Sequence, residues 1–349
     1  MTVFRVALSA DFRQADGSPT FPDFDLDPLK AEPSIDLQFI DVEDGRISAS
    51  ALEGFDALIL LTHKFDADSI PADGRLALVA RFGVGYDSVD VEACTKSGIA
   101  VAITPDGVRR PVAAAILTFI LALAGKLFVK DALVRQGPDG FNRRVDHMGV
   151  GLVGKTLGSV GLGNIGAEAL RLCAPLDMKF IAHDPFVDPA LAAELGVTLV
   201  DLETVFRTSD FVTINAPLTP QTHHLVNAER LAMMKSTAYL INTSRGPVVD
   251  QPALVEALRH NRIAGAALDV FDPEPPPADD PLLALDNVIL TPHALCWTDQ
   301  CFAGIGASDV AAVFDVKLGK VPAYLANPDV AGEARFRAKL AAYKTAFAK

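Results

Sequence analysis

Tryptophan occurs once, and tyrosine and cysteine four times each, in 349 residues. Four thiols in a chain this long cannot supply a disulfide framework. Cys94, Cys173, Cys296 and Cys301 also lack the paired CxxC spacing of a zinc site, so reduced cytoplasmic thiols and no metal are expected. Positive charge is short as well: 31 Lys and Arg against 44 Asp and Glu leave a net charge of -13. Without a basic face the chain is not a general phosphate-backbone binder, and no nucleic-acid partner is expected. The start, MTVFRVALSADFR, has an Arg inside its apolar run and no small-residue cleavage site, so it does not read as a secretory signal, and a cytoplasmic location follows. The most membrane-like stretch, Pro111 to Gly125, falls short of the roughly 20 residues of a spanning helix and is closed by Lys126. It reads as a buried helix or a subunit contact, and no membrane partner is expected.

What is present is apolar residues, half of the chain, arranged as short β-rich runs alternating with helical patterns. That alternation is the pattern of parallel sheets covered by helices on both faces, an α/β protein. Strand candidates are Val3 to Ser9, Leu37 to Ile40, Ala57 to Leu61, Ala77 to Phe82 and Ala100 to Thr104. After a long apolar helix beginning near Pro111, six more follow: Leu157 to Gly161, Phe180 to His183, Phe211 to Ile214, Tyr239 to Asn242, Ala264 to Asp269 and Val288 to Leu290. Six strands complete a dinucleotide-binding sheet. The expected division is residues 1–105, the first part of one domain; 106–296, the dinucleotide-binding domain; and 297–349, a helical return to the first. Asp and Pro crowd the stretch Asp11 to Pro33, which reads as a long surface loop with at most one turn of helix, and the cluster Pro273, Pro275, Pro276 and Pro277 reads as a rigid turn.

The first chemical constellation is Gly161-Leu162-Gly163-Asn164-Ile165-Gly166, directly after the strand TLGSV and opening the helix AEALRLCA. The first glycine serves the tight turn, the second the close approach of backbone to a pyrophosphate, and the third the packing of helix on strand. The next strand ends at Asp184, eighteen residues past Gly166, close to where an acid reaches the ribose hydroxyls. A carboxylate there repels a ribose phosphate, so NAD is favoured over NADP; the bland alternative is a turn residue before Pro185.

The second constellation lies at the ends of three later strands: Asn242-Thr243-Ser244-Arg245-Gly246, Asp269 with Asp272-Pro273-Glu274-Pro275, and Thr291-Pro292-His293. Ligands bind at strand carboxyl ends in open α/β sheets. An arginine to hold a carboxylate, an imidazole to move a hydroxyl proton and a carboxylate to tune it suit redox chemistry on a hydroxy acid without a metal. Taken singly, Arg245, Glu274 and His293 are also readable as a helix-end cation, a loop acid and a cap.

GLGNIG, INTSRG, GAALDVF, DPEP and TPH occur in the order of the D-isomer-specific 2-hydroxyacid dehydrogenase family, which the chain resembles over nearly its whole length. RFGVGYDSVD with SGIAVAITP, and PLTPQTHHLV, resemble two further loops of that family. The resemblance implies a Rossmann-type NAD-binding domain inserted into a smaller flavodoxin-like substrate domain, bilobal with a central cleft. It also implies His293 as general acid/base, Glu274 as the partner that raises the imidazole pKa, and Arg245 as the grip on the substrate carboxylate, while the backbone amides of Val84 and Gly85 hold that carboxylate too. Asp269 resembles the contact to the nicotinamide carboxamide, and Ile165, Pro217, Thr222 and Thr243 resemble cofactor contacts, alongside Gly161, Gly163, Asn164, Gly166 and Asp184. A homodimer built on the apolar helix Val112 to Leu123 and the cofactor domain is expected.

Departures bear on the substrate. Where the family commonly has a small residue and glycine after the histidine, this chain reads Ala294-Leu295-Cys296-Trp297, so Trp297 either lines the substrate pocket or anchors a core. Arg109 and Arg110 stand where relatives carry uncharged residues, and are expected to meet anionic oxygens of the substrate or of the pyrophosphate, or else to be a solvated pair. Ala113-Ala114-Ala115 lacks the family's usual acid. Glyoxylate, hydroxypyruvate, phosphoglycerate and other sugar acids all remain open as substrates, with formate or phosphite as nonstandard donors. Arg109, Arg110 and Trp297 lean toward an acid larger or more anionic than glyoxylate. The rival from another class is a dinucleotide-sensing interaction protein, since corepressors resemble this family.

Overall fold

Aliphatic and β-branched runs that end in Gly, Asp or Pro become parallel strands, and the amphipathic or apolar stretches between them become helices. The computed structural model describes residues 3–42 and 44–347. In chain order the elements are β1 (Phe4–Ser9), α1 (Asp27–Lys30), β2 (Ile35–Ile40), β3 (Ala57–Leu60), β4 (Leu78–Arg81), α2 (Val91–Lys96), β5 (Ala100–Ala102), α3 (Pro105–Gly125), α4 (Leu127–Arg135) and α5 (Pro138–Asn142). Then come β6 (Thr156–Val160), α6 (Asn164–Cys173), β7 (Lys179–His183), α7 (Pro189–Glu194), β8 (Val197–Leu199), α8 (Leu202–Thr208), β9 (Phe211–Ile214) and α9 (Ala228–Met233). The chain continues with β10 (Tyr239–Asn242), α10 (Gln251–Arg259), β11 (Gly265–Leu268), β12 (Val288–Leu290), α11 (Asp299–Lys317) and α12 (Ala334–Phe347).

These elements form two units. One is made of the chain up to Val108 together with everything from Trp297 onward. Its five strands lie in the order β2-β1-β3-β4-β5, all parallel, the doubly wound flavodoxin-like order. Continuous burial of β3 and β5 explains why these strands read as unbroken apolar runs. The C-terminal helix is locked to this sheet by a polar hub. Asp56, fully buried, accepts both Nε and Nη2 of Arg75 at 2.7 and 2.8 Å and the Tyr343 hydroxyl at 2.9 Å. Burial beside that carboxylate pushes the Tyr343 hydroxyl pKa well up, so it stays a donor.

The other unit runs from Arg109 to Cys296. Its parallel sheet has the order β12-β11-β10-β9-β6-β7-β8, so the switch point lies between β6 and β9, beside the glycine loop. Seven strands replace the six expected. The addition, β8, is a three-residue edge strand on β7, too short to show a period of its own. The helix expected from near Pro111 begins six residues earlier, at Pro105, where a missing N–H costs nothing; Pro111 lies inside it. At 21 residues, α3 is long and apolar enough by length and composition to span a membrane, yet 61% of its most apolar window is buried. That burial marks it as an interior helix.

Candidate active site

The glycine loop has the shape a dinucleotide needs. Gly161 sits at φ +95°, and a Cβ there would meet the Asn215 backbone at 2.9 Å. A Cβ on Gly166 would lie 2.6 Å from the Gly161 carbonyl oxygen, so the third glycine lets α6 close on the turn after β6. Nothing lies within 4 Å of a Cβ on Gly163: the space the second glycine leaves is open, where backbone would approach a pyrophosphate. Asn164 and Ile165 form the first turn of α6, whose amino end supplies unpaired N–H groups. Asp184, just past β7, accepts the Leu162 N–H at 2.8 Å and the Phe186 N–H at 2.8 Å, which fixes the acid against the loop.

Two polar atoms near this edge are buried without a partner among the described residues: Thr243 Oγ1 and Asn215 Oδ1. Groups of this kind are normally satisfied, and a bound dinucleotide with its many donors and acceptors fits them. Asn215 was not singled out in the sequence; its Nδ2 donates to Ser159 Oγ at 2.9 Å, and the only sequence signal was its place just after β9. Thr222 folds the loop instead of standing open: its hydroxyl donates to the Pro217 carbonyl at 2.6 Å and accepts the Thr219 N–H at 2.7 Å.

At the carboxyl ends of β10, β11 and β12 the polar set converges. Asn242 shapes the loop after β10, with Nδ2 donating to the Arg245 carbonyl at 2.9 Å and Oδ1 accepting the Ser244 N–H at 3.0 Å. Asp269, 4% exposed, accepts the Thr291 hydroxyl at 2.5 Å and the Ala294 N–H at 3.0 Å. It therefore ties the end of β11 to the turn that carries His293. That histidine is in the left-handed region, φ +54°, where few non-glycine residues sit, so the turn holds it in place. His293 Nδ1 lies 2.5 Å from Glu274 Oε1, and Glu274 Oε2 accepts the Phe271 N–H at 3.2 Å. Gln251, another residue the sequence did not mark, braces the same loop: its Oε1 accepts the Asp272 N–H at 3.0 Å while its Nε2 donates to Asp280 at 2.7 Å.

The electrostatics agree with this geometry. Partial burial works to raise the Glu274 pKa, but the hydrogen bond and charge of His293, the Phe271 amide and the Arg245 charge together hold it below its usual value. Glu274 is thus an anion across the neutral range. Arg110, on α3, pairs its Nη1 with Glu168 Oε1 of α6 at 2.7 Å while its side chain stays 64% exposed. That bond, with the charges of Arg110, Arg109 and Arg171, keeps Glu168 ionised below its usual range.

The remaining expected residues lie in the first unit. Val84 and Gly85 occupy the loop after β4, pinned by Gly83 N–H to Thr104 Oγ1 at 3.0 Å and Thr104 N–H to the Gly83 carbonyl at 3.0 Å. Trp297, 52% exposed, is no core anchor; it stands at the start of α11, edge-on to Phe21 and Phe302. Among the described residues no group of three or more His, Cys, Asp or Glu is placed to hold a metal ion.

Comparison with known proteins bears on this arrangement. The family described as D-isomer specific 2-hydroxyacid dehydrogenase, NAD binding domain, matches residues 117–294. A glyoxylate reductase of Korarchaeum cryptofilum is 40% identical over 277 residues, 79% of this chain and 83% of that protein. A D-3-phosphoglycerate dehydrogenase of Archaeoglobus fulgidus is 38% identical over 253 residues, 72% of this chain but 47% of that longer protein. The holo structure of D-mandelate dehydrogenase from Rhodotorula graminis superposes with a TM-score of 0.80 at 26% identity, covering 93% of this chain and 98% of that one. With its glycine loop, its cofactor-binding domain and these relatives, the chain belongs to the D-isomer-specific 2-hydroxyacid dehydrogenase family.

Proposed function

We propose that this protein is an NAD-dependent oxidoreductase that interconverts a 2-oxo acid and a D-2-hydroxy acid, with His293 moving the proton. The observation that carries this reading is the 2.5 Å contact of His293 Nδ1 with Glu274, at the same sheet edge as a glycine loop shaped for a dinucleotide. NAD, when bound, supplies the hydride acceptor and NADH the donor. Glu274, ionised and held by the Phe271 amide, fixes the imidazole through Nδ1 and leaves Nε2 to exchange a proton with the substrate oxygen. Arg245 grips the substrate carboxylate with its planar fork; in the first unit, the Val84 and Gly85 amides are assigned to carboxylate binding by the family resemblance. Gly161, Gly163, Asn164, Ile165 and Gly166 receive the pyrophosphate, Asp184 the ribose hydroxyls, and Pro217, Thr222, Thr243 and Asp269 the remainder of the dinucleotide. A carboxylate at 184 opposes a ribose phosphate, which supports NAD over NADP.

Arg109 and Arg110 are assigned to anionic oxygens of the substrate or of the pyrophosphate, with Arg110 exchanging Glu168 for that anion. An Arg110→Ala variant with unaltered KM for both substrate and NAD would remove this assignment. Leu121, Leu127, Phe128, Val134, Phe141 and Met148, all exposed and all within residues 121–148 of the second unit, support a homodimer, which light scattering in solution tests. The cytoplasm is the compartment we assign, since four cysteines are too few for a disulfide framework and Cys94 and Cys173 are buried. The three relatives named above are enzymes by name, and none of them supports the reading as a dinucleotide-sensing interaction protein.

The test is NADH consumption, followed by absorbance, over a panel of 2-oxo acids with NADPH and His293→Ala as controls. Turnover of at least one acid with NADH, abolished in the variant, is the expected outcome. NADH binding without turnover of any acid would overturn it.

A further inference from the structure

The stretch Asp11 to Pro33 reads in sequence as a surface loop, yet it brings three phenylalanines into the first unit. Phe12 follows the carboxyl end of β1 and lies 5.1 Å, ring to ring, from Phe82 at the carboxyl end of β4. Phe24 is 4.9 Å from Phe82 and fits over Gly306 of α11, where an added Cβ would come within 2.4 Å of its ring. Phe21 stacks on Phe302 at 4.3 Å and meets Trp297 edge-on at 5.5 Å; Trp297 in turn is 5.3 Å from Phe302. Five of these six rings are buried, and only the indole stands open, 52% exposed.

This cluster abuts the loop that we assign to the substrate carboxylate. Phe82 immediately precedes Gly83-Val84-Gly85, whose backbone Thr104 pins, and the chain of rings runs from Phe82 through Phe302, 5.9 Å away, to Trp297. The open end of this cluster, Trp297, belongs to the same unit as the Val84 and Gly85 amides that we assign to the substrate carboxylate. A phosphorylated side chain would need cations there. Arg81, at the end of β4, donates to the Phe82 carbonyl. An open indole held rigidly by edge contacts with two buried rings suits an apolar or π-rich group.

We propose that the substrate is a 2-oxo acid (or the corresponding D-2-hydroxy acid) bearing an aryl or bulky apolar substituent, of the arylpyruvate class, with that substituent seated against Trp297 and the insert holding the indole in place through Phe21. The proposal rests on the 2-hydroxyacid dehydrogenase reading above and adds the chemistry of the side chain.

The experiment compares kcat/KM with NADH for phenylpyruvate, glyoxylate and 3-phosphohydroxypyruvate in the wild type, Trp297→Ala, Trp297→Phe and Phe21→Leu. Phenylpyruvate should exceed both other acids by at least about tenfold, and the phenylpyruvate-to-glyoxylate ratio should fall at least about tenfold in Trp297→Ala and recover most of that loss in Trp297→Phe. Phe21→Leu should lower the ratio less. The single tryptophan gives a second readout: D-phenyllactate added to the NADH complex should change Trp297 emission saturably, and D-glycerate should not. A preference for glyoxylate or the phosphorylated acid, or a ratio unmoved by Trp297→Ala, would overturn the proposal while leaving the dehydrogenase reading intact. Absence of turnover with every acid would overturn both.

Discussion

The two units carry parallel sheets of the same doubly wound kind, and both present the carboxyl ends of their strands as an edge, but the two edges differ in chemistry. In the unit from Arg109 to Cys296 the edge is polar: a glycine loop, Asp184, Arg245, Asp269 and the Glu274–His293 pair, each placed by a motif a few residues long. In the other unit the carboxyl ends of β1 and β4 lead into Phe12 and Phe82, and rings from the insert and from α11 close over them. Shared topology therefore places two different tools. The polar edge suits redox chemistry common to the family, and the aromatic edge suits the choice of which acid is admitted.

Breaking the polar edge should have the largest effect. Removing the imidazole in His293→Ala should lower kcat by about two to four orders of magnitude, with NADH affinity, measured by fluorescence titration, unchanged. Glu274→Gln comes next, with a smaller loss and a change in pH dependence. The Glu274 carboxyl is held below its usual value, so its stabilising pairing with His293 is present above the ordinary carboxylate range and fades as the pH falls through the lowered value. In the glutamine variant no carboxylate titrates at this position, so the loss of rate as the pH falls through the lowered Glu274 value should disappear; an unmoved profile would show that the 2.5 Å contact does not serve the reaction.

The aromatic edge should answer in stability. Phe12→Ala empties a nearly closed site, 4% exposed, and should cost about 3–5 kcal/mol in denaturant unfolding, whereas Phe21 truncation adds a change in acid preference. A Phe12→Ala protein of unchanged stability would show that the insert is not part of the core. The smallest effect concerns thiols away from both edges. Burial pushes Cys94 and Cys173 up to about 12, so neither should react with a thiol reagent at neutral pH until the protein unfolds.

The polar edge was legible in sequence because each of its parts is local. Gly161 to Gly166, Asp184 and the strand-end motifs keep residues and spacing within one turn or one βα unit, where strand, turn and helix leave a period. The aromatic edge was not, since Phe12, Phe82 and Phe302 are far apart in the chain and meet only through the packing of β1, β4 and α11. The insert's prolines and acids disguised its rings as a solvated loop. Asn215 was missed for a similar reason: a single amide after β9 has no pattern until its oxygen is seen buried and unpartnered. Edge strand β8 was too short for alternation to show, and Pro111 misplaced the start of α3 because a proline inside a helix reads as its beginning.

The central claim is direct transfer between the nicotinamide and the α-carbon at the His293–Glu274 site, and isotope transfer tests it most directly. With NADH carrying deuterium at C4 on one face, then on the other, and a 2-oxo acid that is turned over, the product is analysed for label and configuration. The account predicts deuterium at C2 of the D-2-hydroxy acid from one of the two labelled cofactors, with no product formed by His293→Ala above the level of that variant's residual rate. Product of L configuration, or label that reaches solvent instead of C2, would contradict it.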